Sequence, residues 1–373
     1  MNASIRTASL QKAGRVDAAV VEDVSSNAVT PFNRRRLLPI GGWEAALLLL
    51  LVAVIAGFGM KVPGFLDSTS GLLALTENFL PFGLVALGLS LVIFTGGIDL
   101  SVGATASLAA VVAAQIWSDW GVNIWLASAI GVLIGGVLGA VNALVIIRLR
   151  VEPLIATLAT SFIYGSMAVA IAGDSPPSGF PDAFNNLGAG AMGIGASFQL
   201  PYQILLFAGL ALLFWLLVAR SAFGRKLVTV GYSAEAARYS GIRVNRILVT
   251  AYVLSGAMAS VAGLVLAAYY SAVRPDMGDV LLLTTITMVV LGGVSIFGGE
   301  GHLLGVILAV LLLGFLRQGM LIAGFSDMVT TMLTGAILIV SIAVKNLFDS
   351  RGLRLGTRIR ALFKRSISPG HAS

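Results

Sequence analysis

The sequence contains no cysteine, so it can form neither a disulfide nor a thiolate-held metal site. Histidine is almost as scarce: His302 and His371 do not make a metal centre, and none is expected. Charge is thin. Asp, Glu, Lys and Arg make up 11% of the 373 residues, against about 25% in a soluble domain. No Gly-x-x-x-x-Gly-Lys-Ser/Thr stretch occurs, so the chain has no P-loop of its own for ATP. His-Glu-x-x-His and Gly-x-Ser-x-Gly are missing too, which removes two common hydrolase signatures. No catalytic residue and no cofactor are expected, and energy for any work must come from a partner or an ion gradient.

Apolar residues fill the gap. They make up 57% of the chain, and the mean hydropathy is +0.95. One globular core cannot hide that much apolar surface, so lipid is the expected solvent. Glycine is abundant at 44 residues, as suits membrane helices. Apolar stretches of membrane-spanning length recur. They run Glu44–Met60, Leu72–Thr95, Ser101–Trp117, Asn123–Ile147, Pro153–Ala172, Leu200–Val218, Ile247–Tyr270, Val280–Phe297, Leu303–Ile322 and Asp327–Val344. The expectation is an all-α polytopic membrane protein with about ten spans, since lipid offers backbone groups no partner.

The formal charge of +7 would raise nucleic acid as a partner in a soluble protein. Here the basic residues cluster between apolar stretches with few aromatics among them, which is a topology signal instead. Ten spans with both termini in the cytoplasm put all of the 24 Lys and Arg inside except Lys61, Arg274 and Arg317. The long segment 173–199 has neither and falls outside. Residues 1–43 read as a disordered cytoplasmic tail, 44–346 as the membrane domain, and 347–373 as a basic cytoplasmic tail.

The one substantial inside loop, 219–246, carries a short helical stretch. Ser233 is placed to cap it, Glu235, Ala236, Ala237 and Arg238 favour it, and Gly241 can end it. Gly231 and Gly241 read as hinges. Two glycine-rich turns, Gly96–Gly103 and Gly292–Gly301, suggest an internal duplication. Asp99 interrupts an apolar stretch at a cost of about 3 kcal/mol on insertion scales. It reads either as a group lining a solute path or, with Ser101, as a helix cap. Gly96 and Gly97 mark the break, and Glu77 is a further candidate for a water-filled path. Arg317 can pair with an acid or snorkel, while Gln318 and Glu300 read as anchoring groups. Gly131, Gly135 and Gly139 recur every four residues, a close-packing pattern. Gly188–Gly193 has dinucleotide-motif spacing but follows no strand, and is rejected as such.

Several of these segments together resemble a known family. They are Gly96–Gly103, Glu152–Leu158, Gly224–Gly241, Leu254–Gly263 and Val289–Gly305. In this order they are similar to the inner-membrane permeases of bacterial ATP-binding cassette importers for simple sugars, typified by the ribose, xylose and autoinducer-2 systems. The resemblance covers roughly residues 44–346. The outside loop Gly179–Asn186 looks most like the second permease of autoinducer-2 and rhamnose importers. The resemblance implies the permease fold, a bacterial inner-membrane location and a loop that docks on an ATPase. Gly231, Glu235, Ala236, Ala237, Arg238 and Gly241 occupy that loop. It further implies cytoplasmic ATPase subunits, a second permease chain and a periplasmic binding protein as partners. Alternatives are a branched-chain amino-acid permease, an ion-coupled secondary transporter with paired mid-membrane acids, and an integral-membrane enzyme.

Overall fold

The computed structural model describes residues 41–194 and 198–341. Most of the expected N-terminal tail, the whole C-terminal tail and the end of the last expected span lie outside the described residues.

The stretch Leu80–Phe94 is apolar on every side apart from Ser90, so no face of it suits water. It becomes the central helix α3, and all of its residues are buried. Helices from the second half of the chain pack on it, and it stands third among the described helices. In chain order they are α1 (Gly42–Lys61), α2 (Thr69–Ala74), α3, α4 (Val102–Trp120), α5 (Ile124–Leu149) and α6 (Pro153–Ala172). Next come α7 (Asp182–Ala189), α8 (Tyr202–Trp215), α9 (Ala222–Tyr232), α10 (Ala234–Tyr239) and α11 (Val244–Tyr270). The last are α12 (Leu281–Leu291), α13 (Leu303–Ile322) and α14 (Asp327–Ser341). α11, at 27 residues, packs on α3, α4 and α5.

The outward faces are apolar. Leu126, Leu133, Val137 and Leu144 on α5 are exposed, as are Ile155, Phe162 and Ile163 on α6. Such faces belong in lipid. Among the described residues six helices are long and apolar enough to cross a membrane, or seven if one bent pair counts as a span. That measure does not confirm ten spans, and two of the expected ones differ in form. The expected span Leu72–Thr95 is broken: α2 and a 3-10 turn, Leu75–Asn78, meet α3 at 56°. Pro81, at the start of α3, has no N–H to continue the ladder. The expected span Val280–Phe297 stops at Leu291. α12 has 11 residues, about 16 Å of helix against a hydrocarbon core of about 30 Å.

The glycine ridge on α5 does what its spacing predicts. A Cβ on Gly135 or Gly139 would strike the backbone of α11 at Gly256 or Tyr252, and one on Gly131 would lie 3.0 Å from the Ala109 carbonyl on α4. The described residues of the segment 173–199 are folded rather than loose. They form α7 and the first strand of an antiparallel pair, β1 (Ala191–Ile194) with β2 (Phe198–Pro201), registered from Ala191 opposite Pro201 to Ile194 opposite Phe198. Gly188 abuts the Ala268–Tyr269 backbone, so the glycines of 188–193 serve packing and a hairpin. Phe180 and Phe184 stack with Trp117 and Trp125 and seal that end of the bundle.

Candidate functional site

The short helix of the inside loop forms where its sequence places it. The Ser233 hydroxyl accepts from Ala236 N at 3.1 Å and caps the start of α10. Glu235 lies in the first turn and Arg238 in the last, each the right sign for its end of the helix dipole. At the other end Gly241 adopts φ +77°. Its N–H donates to Arg238 O at 2.9 Å, and Ile242 N donates to Ala237 O at 3.0 Å. This is a Schellman ending. Ala237 is buried, anchoring one face of α10, while Glu235, Ala236 and Arg238 are exposed on the other.

Gly231 departs from expectation. It is no free hinge. It sits inside α9, and a Cβ there would overlap the Phe94 carbonyl at the end of α3 and the Gly299 amide. Beside it the Tyr232 hydroxyl donates to Glu300 Oε1 at 3.3 Å. The Glu300 carboxylate holds that phenol above its ordinary range.

Asp99 lies beyond α3, only 1% exposed. Its carboxylate is fully engaged. Oδ1 accepts from Ser101 N at 3.0 Å and from Ser101 Oγ at 2.7 Å, and Oδ2 accepts from Ser255 Oγ at 3.1 Å. The chain of donors extends outward. Asn142 Nδ2 donates to Ser101 Oγ at 2.7 Å, and Tyr164 OH donates to Asn142 Oδ1 at 3.1 Å. Thr157 Oγ1 accepts from Leu100 N at 3.1 Å and donates to Pro153 O at 2.8 Å. The turn is therefore tied to α5, α6 and α11. Asp99 does satisfy an N–H at the entry to α4, as a cap would. Unlike a simple cap, it also collects a donor from α11. The Tyr252 hydroxyl is buried near Gly97 without a hydrogen-bond partner among the described residues.

Ser255, Asn142, Tyr164, Thr157 and Tyr252 were not singled out by the sequence. Ser255 and Thr157 lie in segments that carry the resemblance, Leu254–Gly263 and Glu152–Leu158; the further signal is a polar group in an apolar helix. Glu77 is not part of this cluster. It lies in the 3-10 turn at the far end of α3, about 22 Å of helix away. Arg317 pairs with Asp327, Nη2 to Oδ1 at 2.6 Å, joining α13 to α14. Gln318 is buried in α13. Glu44 is buried at the start of α1, where His302 Nδ1 lies 3.2 Å from its Oε1.

Residues 71–342 match the family described as branched-chain amino acid transport system / permease component. The chain belongs to this permease family. Curated relatives share most of its length. The "Autoinducer 2 import system permease protein LsrD" of Klebsiella pneumoniae subsp. pneumoniae is 40% identical over 311 residues, 82% of this chain and 92% of the relative. The protein of the same name from Salmonella typhi is 39% identical over 304 residues, 80% of this chain and 90% of its own. That from Photorhabdus laumondii subsp. laumondii is 36% identical over 312 residues, 82% and 92% of the two chains. No solved structure matches. The permease is thus a transport subunit with multiple apolar helices, in a bundle with almost no sheet.

Proposed function

We propose that this permease is the membrane subunit of an ATP-binding cassette importer that carries autoinducer-2 or a related sugar-like solute inward. The observation that carries the reading is the similarity to relatives named as autoinducer-2 import permeases, at 36–40% identity over about four-fifths of the chain. The amino-acid cargo in the family description is the broader label, and these relatives favour the sugar-like one.

In this reading α10 docks on a cytoplasmic ATPase, which binds the ATP. A helix of six residues has little stability alone. Caps at both ends and the buried Ala237 supply what it lacks, leaving Glu235, Ala236 and Arg238 free for the partner. Two permease chains, identical or homologous, frame the path, and a periplasmic binding protein delivers the solute to the face formed by 173–199. Both termini lie in the cytoplasm. The Asp99 cluster braces the first glycine-rich turn, and Gly96, Gly97 and Ser101 shape that turn. Glu77, at the opposite end of α3, faces the delivery side. The permease does no covalent chemistry and holds no cofactor or metal.

The test is reconstitution in vesicles with the ATPase and the binding protein. Uptake of labelled autoinducer-2 that requires ATP and survives collapse of the proton gradient is expected. Uptake of leucine in its place, or uptake without ATP, refutes the assignment. Within that system Glu235→Arg or Gly241→Pro is expected to lower ATPase co-purification and uptake together. If both variants bind the ATPase normally, α10 is not the docking element.

A further inference from the structure

Three segments distant in sequence meet at Gly231 with no side chain between them. The first is the end of α3, whose Phe94 carbonyl accepts from Gly299 N at 3.0 Å. The second is the turn between α12 and α13. A Cβ on its Gly298 would lie 2.5 Å from Gly96 N and 3.1 Å from Gly231 O. The third is α9, where a Cβ on Gly231 would overlap both Phe94 O and the Gly299 backbone. Tyr232 N would in turn lie 2.9 Å from a Cβ on Gly299. So the arm that carries α10 touches the end of α3 and the second glycine-rich turn at once, backbone against backbone, and Gly298 of that turn touches Gly96. Side chains between two elements can absorb a displacement by changing rotamer. At Gly231 itself the nearest atoms are all backbone, with only the Tyr232 ring lying on Gly299 beside it, and close-packed contacts pass strain on.

We propose that Gly231 is a positioning residue for transport. It locks α9 to the Gly96 and Gly298 turns, so that a push on α10 moves the arm, the end of α3 and the start of the α13 segment as one body. The proposal rests on α10 being the ATPase-docking helix. It replaces the hinge that a glycine at this position suggests in the sequence. The contact runs to α3, the fully buried helix, so a stroke at the periphery reaches the centre of the bundle directly.

The experiment uses the native absence of cysteine. In the double variant Tyr232→Cys with Glu300→Cys the two thiols are the only ones in the chain. The complete importer is reconstituted, and uptake and ATP hydrolysis are measured before bridging, after bridging with a short bis-methanethiosulfonate, and after reduction. Bodies that travel together tolerate a bridge. Uptake per ATP is expected to stay within about twofold of the unbridged double variant. A fall of about tenfold or more that reduction reverses, with the ATPase still bound, means the arm swings away from the turn and overturns the proposal. Gly231→Ala supplies the second readout. It is expected to lower uptake per ATP hydrolysed by about tenfold with ATPase co-purification unchanged; a normal ratio also overturns the proposal. Failure of the docking reading shows up elsewhere, as normal ATPase co-purification in Glu235→Arg and Gly241→Pro.

Discussion

α3 ends with Gly96 N donating to Ile93 O at 2.9 Å and Gly97 N to Val92 O at 3.2 Å. α12 ends with Gly293 N donating to Val290 O at 2.9 Å and Val294 N to Val289 O at 3.4 Å. Both are Schellman endings with a left-handed glycine, Gly96 at φ +79° and Gly293 at φ +88°. The equivalent residues are therefore Gly96 and Gly293, not the two leading glycines of the similar strings. Matched this way, Asp99 corresponds to Ile296. The first turn is tied into the bundle by a buried carboxylate and its donors. The second has no acid in that place, leaves Phe297 85% exposed, and is held by backbone contacts to Gly96 and the arm, with the Tyr232 hydroxyl on Glu300 beside them. One turn is anchored through a buried carboxylate and the other mainly through backbone.

Replacing the acid breaks this comparison most severely. Asp99→Ala leaves the Ser101 and Ser255 donors buried without an acceptor, and a loss of about 3 kcal/mol is expected, visible as a lower melting temperature in detergent and little uptake. Asp99→Asn keeps an acceptor for Ser101 and can turn its amide toward Ser255. It is expected to cost about 1 kcal/mol and to keep most folded protein; if it melts with the alanine variant, the charge itself is needed. Gly298→Ala attacks the second turn. The left-handed backbone alone costs about 1–2 kcal/mol in a residue with a Cβ, and contact with Gly96 N adds to it. If this variant melts like the wild type, the turns are not in contact. Ser255→Ala removes one donor from Asp99 and is expected to cost about 1 kcal/mol in the same melt. Phe297→Ser, at the exposed tip of the second turn, is expected to shift stability by no more than about 0.5 kcal/mol.

Much of the fold was legible where local chemistry decides it. The limits of α6 and α13 coincide with those read from the apolar runs, because Pro153 starts one and the glycine at 324 follows the other. Ser233 and Gly241 announced α10, because caps act over four residues. The bend before α3 falls where Thr76, Glu77 and Asn78 interrupt the apolar run and Pro81 follows, but these few polar residues leave the stretch apolar enough on average to read as one span. The apolar run continues past α12 to Phe297, but Gly292 and Gly293 end the helix at Leu291. The site was half legible. Asp99 stood out as a lone acid, but its partner Ser255 lies 156 positions away and gave no local sign. In the sequence Gly231 reads as a point of backbone freedom, whereas the structure uses the space it leaves empty. The two uses look identical in a string of letters.

The seam between α5 and α11 has a thermal consequence. Gly135, Gly139 and Gly256 bring the two backbones together with almost nothing between them. Heat first excites the rotamers of long side chains, and this seam has few to excite. It is expected to be the pillar that stays upright while the greasy perimeter softens, with amide protons along it the slowest to exchange in a hydrogen-exchange measurement.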